Sequence, residues 1–365
     1  MIRILLRAAV LGCPLFALLS AQAPAPFKLA IAGLVHGHAG GFLRLAQTRD
    51  DIRIVGIFEP DVALQRSYAQ RYNLDPSVFF TDLPAMLDRA KPEAVASFTN
   101  TYDHPFVVEA AAARHIDVMM EKPLAVSLDH ARRIQRAAAR GGIDVLVNYE
   151  TTWYPSHGAM WTLIKEQRAS GDIRKMVALD GHRGPKEIGV GPEFLAWLSD
   201  PIRNGAGALF DFGCYGANLM TWMMDNQRPL TVWAVTQQIK PEIYSRVDDE
   251  ATIVVEYPKA QGIIQASWNW PFDRKDFEVY GDHGLAIASR SSLRVRMGNE
   301  QEHAAAPEPR PPDERDSLSH LIAVARGTRK PNALSSLENN VIVTEILEAA
   351  RESARTHRAV VLPRR

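Results

Sequence analysis

Short apolar strands alternate with amphipathic helices between residues 27 and 147, and no other feature of the sequence constrains the fold as tightly. Apolar or β-branched runs of strand length occur at residues 28–33, 52–58, 94–98, 117–120 and 144–147. Between them, apolar residues recur at helical spacing at residues 41–48, 63–72, 83–90, 105–114 and 127–140. Such alternation pairs strands in parallel through right-handed crossovers. The sequence therefore predicts a doubly wound parallel sheet, which binds ligands beyond the carboxyl ends of its strands.

The chain from Tyr149 onward has a different pattern, which predicts a second domain of α/β type. A helical segment at residues 155–170 precedes six strand-like runs, at residues 173–180, 230–238, 251–257, 262–270, 277–281 and 293–297. Short turns join several of these runs, which favours an open, mostly antiparallel sheet. A Pro/Ala-rich loop at 304–312 and helices at 316–326 and 337–356 follow. We predict domains at residues 24–148 and 149–365.

The first 23 residues have the pattern of a cleaved secretory signal. Arg3 and Arg7 precede the apolar run 8–19, and small residues end the segment near Ala23. A membrane anchor is the alternative, but the run has about a dozen residues where a span needs about 20. A lipoprotein signal at Cys13 is disfavoured because the residues after it stay apolar. We expect export to the periplasm or secretion, without stable membrane insertion.

The charge balance argues against nucleic acid as a partner. The chain has 42 Lys and Arg against 42 Asp and Glu, so no overall positive field attracts nucleic acid.

Arg3 and Arg7 are not adjacent, so a twin-arginine signal, which exports folded proteins, is not visible. Removal of the signal leaves Cys214 without a second cysteine to pair with in an oxidising compartment.

The turn after the first predicted strand, Gly33-Leu34-Val35-His36-Gly37-His38, is the first candidate site. A dinucleotide fingerprint, G-x-G-x-x-G, needs glycine where the backbone approaches the pyrophosphate and where the helix packs on the strand. Val35 and His38 occupy the second and third glycine positions, while Gly33 keeps the first. Glu59, 26 residues after Gly33, is where an acidic residue would bind the adenosine ribose and favour NAD over NADP. A solvent-exposed turn residue is the alternative interpretation of Glu59.

The two histidines of this turn, His36 and His38, raise the question of a metal. They lie two residues apart in a loop, and the adjacent sequence offers neither a carboxylate nor a third histidine. A closed zinc site needs more ligands than these two residues supply. We therefore predict polar contacts to a bound ligand and no metal.

Two further segments carry groups suited to proton transfer. Lys122, in Glu121-Lys122-Pro123, follows a parallel strand and therefore points into the ligand crevice; an ordinary surface lysine is the alternative. Asp211, Tyr215 and Asn218 follow a glycine-rich run at helical spacing, which predicts that they share one helix face. A lysine opposite that face would lower the pKa of the tyrosine, so that the phenol removes a substrate proton. A capped helix with a core tyrosine is the alternative.

These segments together resemble the glucose-fructose oxidoreductase, inositol dehydrogenase and MocA-type family (Gfo/Idh/MocA). The similarity rests on Glu121-Lys122-Pro123, on the segment 99–104 after the third strand, on the glycine-rich run into Asp211-x-Gly213-x-Tyr215, and on the ending 326–358. It covers most of the mature chain. It implies an N-terminal Rossmann domain, a C-terminal α/β domain with an open sheet, and NAD or NADP between them.

The resemblance also implies roles for individual residues. The catalytic residues would be Lys122, Asp211 and Tyr215, with tyrosine replacing the histidine of the inositol dehydrogenase type. The cofactor-binding residues would be Gly33, Val35, His36, Gly37, His38, Glu59, Thr99, Asn100, His104, Glu121, Lys122 and Pro123. Substrate would contact the three catalytic residues together with His182 and Arg183, which end a strand of the second domain; a solvated loop is the alternative for that last pair.

The predicted reaction is hydride transfer between a sugar or glycoside carbon and nicotinamide. Because free NAD is scarce outside the cytoplasm, either the protein holds NAD tightly or its chemistry involves no net NAD turnover, as in a hydride shuttle between two sugars. Two alternatives stay open: a glycosidase that acts by transient oxidation and elimination, and a non-catalytic carbohydrate-binding protein that has lost the nucleotide. Trp268 and Trp270 would place two indoles on one face of the predicted strand 262–270, which favours a core or subunit contact over sugar stacking. Family analogy predicts a homo-oligomer formed through the C-terminal sheet.

Overall fold

Two β-sheets organise the structure, a computed structural model that describes residues 25–363. The first sheet contains β1 (Phe27–Ala32), β2 (Ile52–Phe58), β3 (Phe79–Phe80), β4 (Ala94–Ser97), β5 (Asp117–Glu121) and β6 (Val145–Asn148). Its order is β3-β2-β1-β4-β5-β6, and every neighbouring pair is parallel. The predicted doubly wound parallel sheet is confirmed. The predicted signal sequence, residues 1–23, lies outside the described residues.

Five helices connect these strands: α1 (Ala39–Gln47), α2 (Val62–Tyr72), α3 (Leu83–Ala90), α4 (His104–Ala112) and α5 (Leu128–Gly141). The caps explain where three of them begin, since the side chains of Asp61, Asp82 and Ser127 accept N–H groups of the first turns of α2, α3 and α5. Buried apolar residues of β1, β4 and β5 form the layer between the helices. These three central strands end where the candidate site begins.

The second sheet has nine strands: β7 (Ile173–Gly181), β8 (Thr231–Gln237), β9 (Glu250–Glu256), β10 (Gln261–Ser267), β11 (Arg274–Gly281), β12 (Gly284–Ala288), β13 (Leu293–Met297), β14 (His303–Ala305) and β15 (Val360–Val361). Their order is β14-β13-β12-β11-β7-β10-β9-β8-β15. In the described part of the chain, β7 and β10 are the one parallel pair and the other pairs are antiparallel. The predicted open, mostly antiparallel sheet is confirmed.

The second half contributes six helices: α6 (Pro155–Trp161), α7 (Pro192–Leu198), α8 (Ala208–Asp211), α9 (Gly213–Met223), α10 (Ser317–Ala325) and α11 (Leu337–Thr356). Helices α6, α8, α9 and α11 pack on the second sheet, whereas α10 packs against the first sheet. Every residue of α9 is buried. A Cβ at Gly216 would lie 2.7 Å from side-chain atoms of both Ala178 and Ile264, so glycine is what lets α9 approach the sheet this closely. No helix in residues 25–363 is both long enough and apolar enough to span a membrane.

Several boundaries differ from the predicted ones. The helix predicted over 155–170 stops at Trp161, and a π-helical segment, Thr162–Glu166, replaces its second half. The loop predicted at 304–312 begins with β14, which pairs with β13 although its composition is that of a loop. Strands β3, β12 and β15 were not predicted, because runs of two to five residues are too short to show alternation.

Candidate active site

Lys122 lies at the end of β5 and reaches across to the second half of the chain. The Lys122–Pro123 peptide bond is cis, and the lysine side chain is buried. Its Nζ donates to Asp211 Oδ1 at 2.5 Å and to the Asp211 main-chain oxygen at 2.8 Å. An ammonium group has three N–H bonds, so one remains for a further acceptor.

Lys122 and Asp211 form a buried ion pair that is charged at neutral pH. Burial opposes both charges, but Asp211 raises the pKa of Lys122 and Lys122 lowers the pKa of Asp211. A second donor also holds the carboxylate, since Trp268 Nε1 lies 2.9 Å from Asp211 Oδ2. Sequence reasoning gave Trp268 a place in the core or at an interface, and the side chain is indeed fully buried. Its hydrogen bond to Asp211 was missed.

The helix carrying the other candidates is broken, which corrects the prediction that Asp211, Tyr215 and Asn218 share one face. Asp211 ends α8, and Phe212 interrupts the helix before α9 begins at Gly213. Asn218 points elsewhere, and its Nδ2 donates to the Leu334 oxygen at 2.8 Å. Asp211 and Tyr215 nevertheless both line the cavity.

The Tyr215 ring stands between two lysines. The Nζ atoms of Lys122 and Lys275 lie 5.0 Å and 5.2 Å from its ring centroid. The prediction of a lowered phenol pKa is wrong: burial raises the pKa of Tyr215 well above its ordinary value, and nearby Glu150, Cys214 and Asp211 raise it further. Within residues 25–363 the Tyr215 hydroxyl makes no side-chain hydrogen bond in the structure, so its proton is free for a ligand.

Lys275 and Glu150 are site residues that sequence reasoning missed. Lys275 begins β11, and its Nζ donates to Glu150 Oε2 at 2.7 Å. Burial alone would raise the pKa of Glu150, but the ion pair with Lys275 holds this pKa below its ordinary value. No local motif marks either residue, and 125 positions separate them in the sequence.

A cavity of about 450 Å³ lies beside Lys122, Asp211 and Tyr215. Its volume falls within the usual range for small-molecule sites, roughly 300–1,000 Å³. The wall includes Lys122, Asp211, Tyr215, His182 and Lys275. The cavity therefore brings together the three predicted catalytic residues and one predicted substrate residue. Arg183 is exposed and is not among the described residues that line the wall.

The backbone conformation of the turn at Gly33 is suited to a nucleotide site. Gly33 has φ +84°, and a Cβ there would lie 2.6 Å from Thr99 Cγ2, so this position requires glycine. Several of the turn's N–H groups are, however, already bonded within the protein. Leu34 N–H donates to Glu59 Oε2 at 2.9 Å and His36 N–H donates to the Phe98 oxygen at 3.0 Å.

Glu59 has a structural role in addition to the predicted ribose contact, which stays a prediction. Glu59 is buried, and its other oxygen accepts the Asp61 N–H at 3.0 Å. Burial raises the pKa of this carboxyl. Glu59 therefore stabilises the turn and the start of α2, and it is not the exposed residue of the alternative interpretation.

His36, His38 and Glu121 form a cluster whose ligand atoms all lie within 4.8 Å of one another. The premise that no carboxylate is near the histidines was therefore wrong: His38 Nδ1 lies 3.1 Å from Glu121 Oε2. However, His36 Nδ1 accepts the His38 N–H at 3.2 Å, which places the hydrogen of a neutral His36 on Nε2. Asn148 Nδ2 donates to the other Glu121 oxygen at 2.8 Å. This hydrogen bonding suits His36 as a donor to a ligand more than as a metal ligand.

The remaining predicted cofactor residues are buried beside the site and bonded locally. Thr99 donates to the Asn100 oxygen, Asn100 caps the turn at Asp103, and His104 Nδ1 lies 3.1 Å from the Leu124 oxygen. Val35 is half-buried, and its carbonyl accepts the Trp197 indole N–H at 3.2 Å. These residues shape the crevice from behind; among the described residues, Val35, Thr99, Asn100 and His104 do not line the cavity.

Helix α7 of the second half lies directly on the turn. A Cβ at Gly37 would be 3.0 Å from Phe194 Cδ1, and the His36 ring lies 4.8 Å from the Phe194 ring. We therefore expect a dinucleotide that follows the turn to displace α7.

We expect Phe194→Ala to lower the Kd for NAD⁺ several-fold, because the substitution removes the ring that must leave the turn before the nucleotide enters. Isothermal titration calorimetry of the purified protein measures this directly. Leu195→Ala, on the same helix, controls for general loosening of α7 and should leave the Kd unchanged. An unchanged or raised Kd in Phe194→Ala would show that α7 does not compete with the nucleotide.

Two family models match the sequence and together span most of the chain. Residues 27–149 match the model described as "Oxidoreductase family, NAD-binding Rossmann fold", and residues 161–287 match the model described as "GFO/IDH/MocA C-terminal domain". The matches fall on the two sheets and include Lys122, Asp211, Tyr215 and Lys275.

Individual relatives are distant. A D-apiose dehydrogenase from Paraburkholderia graminis is 24% identical over 331 residues, 86% of this chain and 84% of that protein. A trans-1,2-dihydrobenzene-1,2-diol dehydrogenase from Xenopus laevis is 24% identical over 220 residues, and the match spans only 60% of this chain and 61% of that protein. An inositol dehydrogenase homolog from Azotobacter vinelandii complexed with NAD⁺ has a TM-score of 0.79 at 19% identity, covering 93% of this chain and 98% of that one. At this identity, the structural similarity establishes the fold alone.

Proposed function

Because the chain belongs to the Gfo/Idh/MocA oxidoreductase family, we propose that it transfers hydride between a hydroxyl-bearing carbon of a sugar or glycoside and NAD. The observation that carries this proposal is the convergence of Lys122, Asp211 and Tyr215 on one cavity beyond the carboxyl end of β5. Relatives named D-apiose dehydrogenase and 1,5-anhydro-D-fructose reductase support the substrate class. The NAD⁺ complex of the inositol dehydrogenase homolog supports NAD as the cofactor.

Each residue of the site has a separate role in this proposed reaction. The Lys122 ammonium donates two of its N–H bonds to Asp211, and its third N–H is available to the substrate oxygen. Tyr215 exchanges a proton with the same oxygen, giving it to a carbonyl or taking it from a hydroxyl. Bound NAD supplies or accepts the hydride. The turn at Gly33, together with Lys122 and Pro123, would hold the nucleotide.

The raised pKa of Tyr215 sets the expected pH dependence. Reduction of a carbonyl uses the protonated phenol, so its kcat/KM should stay flat through neutral pH and fall only in strongly alkaline solution. Oxidation uses the phenolate, so its kcat/KM should rise as pH increases and reach no plateau near neutrality. Steady-state rates in both directions across pH 6 to about 10 measure this. A plateau in oxidation near neutral pH would mean that Tyr215 is not the base.

Purification with a scan of nicotinamide absorbance and fluorescence tests the function. Bound nucleotide, or NADH formation when sugars are added, supports the oxidoreductase. Release of an aglycone without net NADH would instead indicate the glycosidase that oxidises its substrate transiently. A protein that elutes without nucleotide, and whose Tm does not shift with NAD⁺, would be the carbohydrate-binding protein of the third alternative.

We also propose that the protein is exported and forms a homo-oligomer. The signal-like residues 1–23 support export, and a tightly held NAD would suit a compartment poor in free NAD. The sheet face away from the helices exposes Trp233 and Val235 on β8, and exposed apolar patches of this kind indicate interaction sites. Light scattering of the purified protein reports the oligomeric state.

A further inference from the structure

Lys275 places a second cation on the cavity wall, in addition to Lys122. Its Nζ lies 5.2 Å from the Tyr215 ring centroid and 5.8 Å from that of Phe212. The Lys122 Nζ approaches the same two rings, at 5.0 Å and 5.9 Å. A substrate whose reacting carbon lies at Tyr215 therefore has a second ammonium within the length of one sugar.

The counter-ion of Lys275 is shared. Glu150 accepts from Lys275 at 2.7 Å through Oε2, while its Oε1 lies 3.0 Å from Arg290 and 2.9 Å from the Tyr154 hydroxyl. Within residues 25–363 the Lys275 ammonium donates one of its three N–H bonds, to Glu150, which leaves two for a ligand in the cavity. The other acidic group on this wall, Asp273, is exposed at the rim, where solvent screens it.

Asp180 is the cross-strand partner of Lys275 in the β7–β11 pair. Both of its carboxyl oxygens are buried without a hydrogen-bond partner among residues 25–363, so it is not hydrogen-bonded to Lys275. Burial disfavours the charged form of this carboxyl and raises its pKa well above the ordinary value. Glu150 is therefore the hydrogen-bonded counter-ion of Lys275.

His182 supplies a further donor to the same wall. Its Nδ1 accepts the Gly184 N–H at 2.9 Å, which places the hydrogen of the neutral ring on Nε2. Burial lowers the pKa of His182, which keeps the ring in that neutral form. Lys275, His182 and the Tyr215 hydroxyl are thus all donors, while Asp211 is already engaged by Lys122 and Trp268.

A wall of hydrogen-bond donors that includes a lysine ammonium is suited to an anionic acceptor. We propose that the substrate is a sugar acid, whose carboxylate binds Lys275 and His182 while its reacting carbon lies at Tyr215. The placement of the reacting carbon rests on the proposed function. The carboxylate contact is a charge-assisted hydrogen bond, which is stronger and more selective than a contact between neutral groups.

Matched pairs of ligands test the proposal: D-glucuronate against D-glucose, and D-galacturonate against D-galactose, with methyl D-glucuronate ester as an uncharged ligand of similar size. Calorimetry on the whole protein, with and without NAD⁺, measures binding, and NADH formation measures turnover. We expect each acid to bind more tightly than its neutral partner. Lys275→Met should weaken binding of the acid by about 10- to 100-fold, with little effect on the neutral partner. Lys275→Arg should restore most of the affinity.

Two further variants separate recognition from folding. Glu150→Gln removes the internal competitor for Lys275 and should tighten binding of the acids, an effect that a merely structural Lys275–Glu150 pair would not give. Lys175→Met, on β7 outside the cavity wall, should change nothing. Equal binding of acids and neutral sugars, or an acid preference that survives Lys275→Met, would overturn the inference.

The outcomes distinguish this inference from the proposed function. NAD-dependent oxidation of neutral sugars without preference for acids would sustain the oxidoreductase and reject the sugar acid. Lys275-dependent binding of glucuronate by a protein that neither binds NAD⁺ nor forms NADH would sustain the carboxylate site and reject the oxidoreductase.

Discussion

Replacing Tyr215 by phenylalanine is expected to lower kcat by about 10²- to 10⁴-fold, the scale of a positioned acid–base group, with a nearly unchanged KM for the sugar. The phenylalanine keeps the ring between Lys122 and Lys275 but removes the proton that the substrate oxygen exchanges. Steady-state kinetics in both directions measures the effect.

Tyr149 provides a matched control for that substitution. Its ring packs edge-on against Tyr215 with centroids 5.5 Å apart, it is fully buried, and it is not among the described residues that line the cavity. Tyr149→Phe should therefore leave kcat within a small factor of the unsubstituted protein. Comparable losses in both variants would point to packing, and an unchanged kcat in Tyr215→Phe would remove Tyr215 from the mechanism.

Replacing Lys122 by methionine is expected to abolish measurable turnover and to lower the free energy of unfolding by about 3–5 kcal/mol. The loss of stability follows because Asp211 stays buried with its charge, held only by the Trp268 indole. The loss of activity follows because the substrate oxygen loses its ammonium partner. Chemical denaturation and kinetics measure the two effects separately.

A double variant distinguishes an uncompensated charge from damaged packing. Lys122→Met with Asp211→Leu removes both charges and should recover most of the lost stability while remaining inactive. Lys165→Met breaks the more exposed pair with Asp225 and should cost no more than about 1 kcal/mol. A double variant as unstable as Lys122→Met alone would contradict the account of the pair.

The first sheet could be predicted from the sequence because its strands are buried on both faces. Strands β1, β4 and β5 each contain four consecutive buried residues, and helices separate them along the chain. The second half was harder to predict because pairing there depends on partners distant in the sequence. Strand β14 pairs with β13 despite a loop-like composition, and α6 gives way to a π-helical segment that no periodicity marks.

The candidate site was likewise predictable only in part from the sequence. Lys122, Asp211 and Tyr215 belong to motifs that can be seen in the sequence, and the structure brings all three to one cavity. Trp268 and Lys275 were missed because their contacts, with Asp211 and Glu150, span 57 and 125 residues. The sign of the Tyr215 pKa shift was also missed, since adjacent charges can be guessed from motifs whereas burial of the phenol depends on the assembled fold.

The central claim is that Lys122, Asp211 and Tyr215 meet over a nicotinamide ring. A crystal structure of the protein with NAD⁺ tests it most directly. The account predicts that the nicotinamide contacts Tyr215 and Lys122 in the cavity, with α7 displaced from the Gly33 turn. Nicotinamide density away from these residues, or a crevice that still holds Phe194 against Gly37 at saturating NAD⁺, would contradict it.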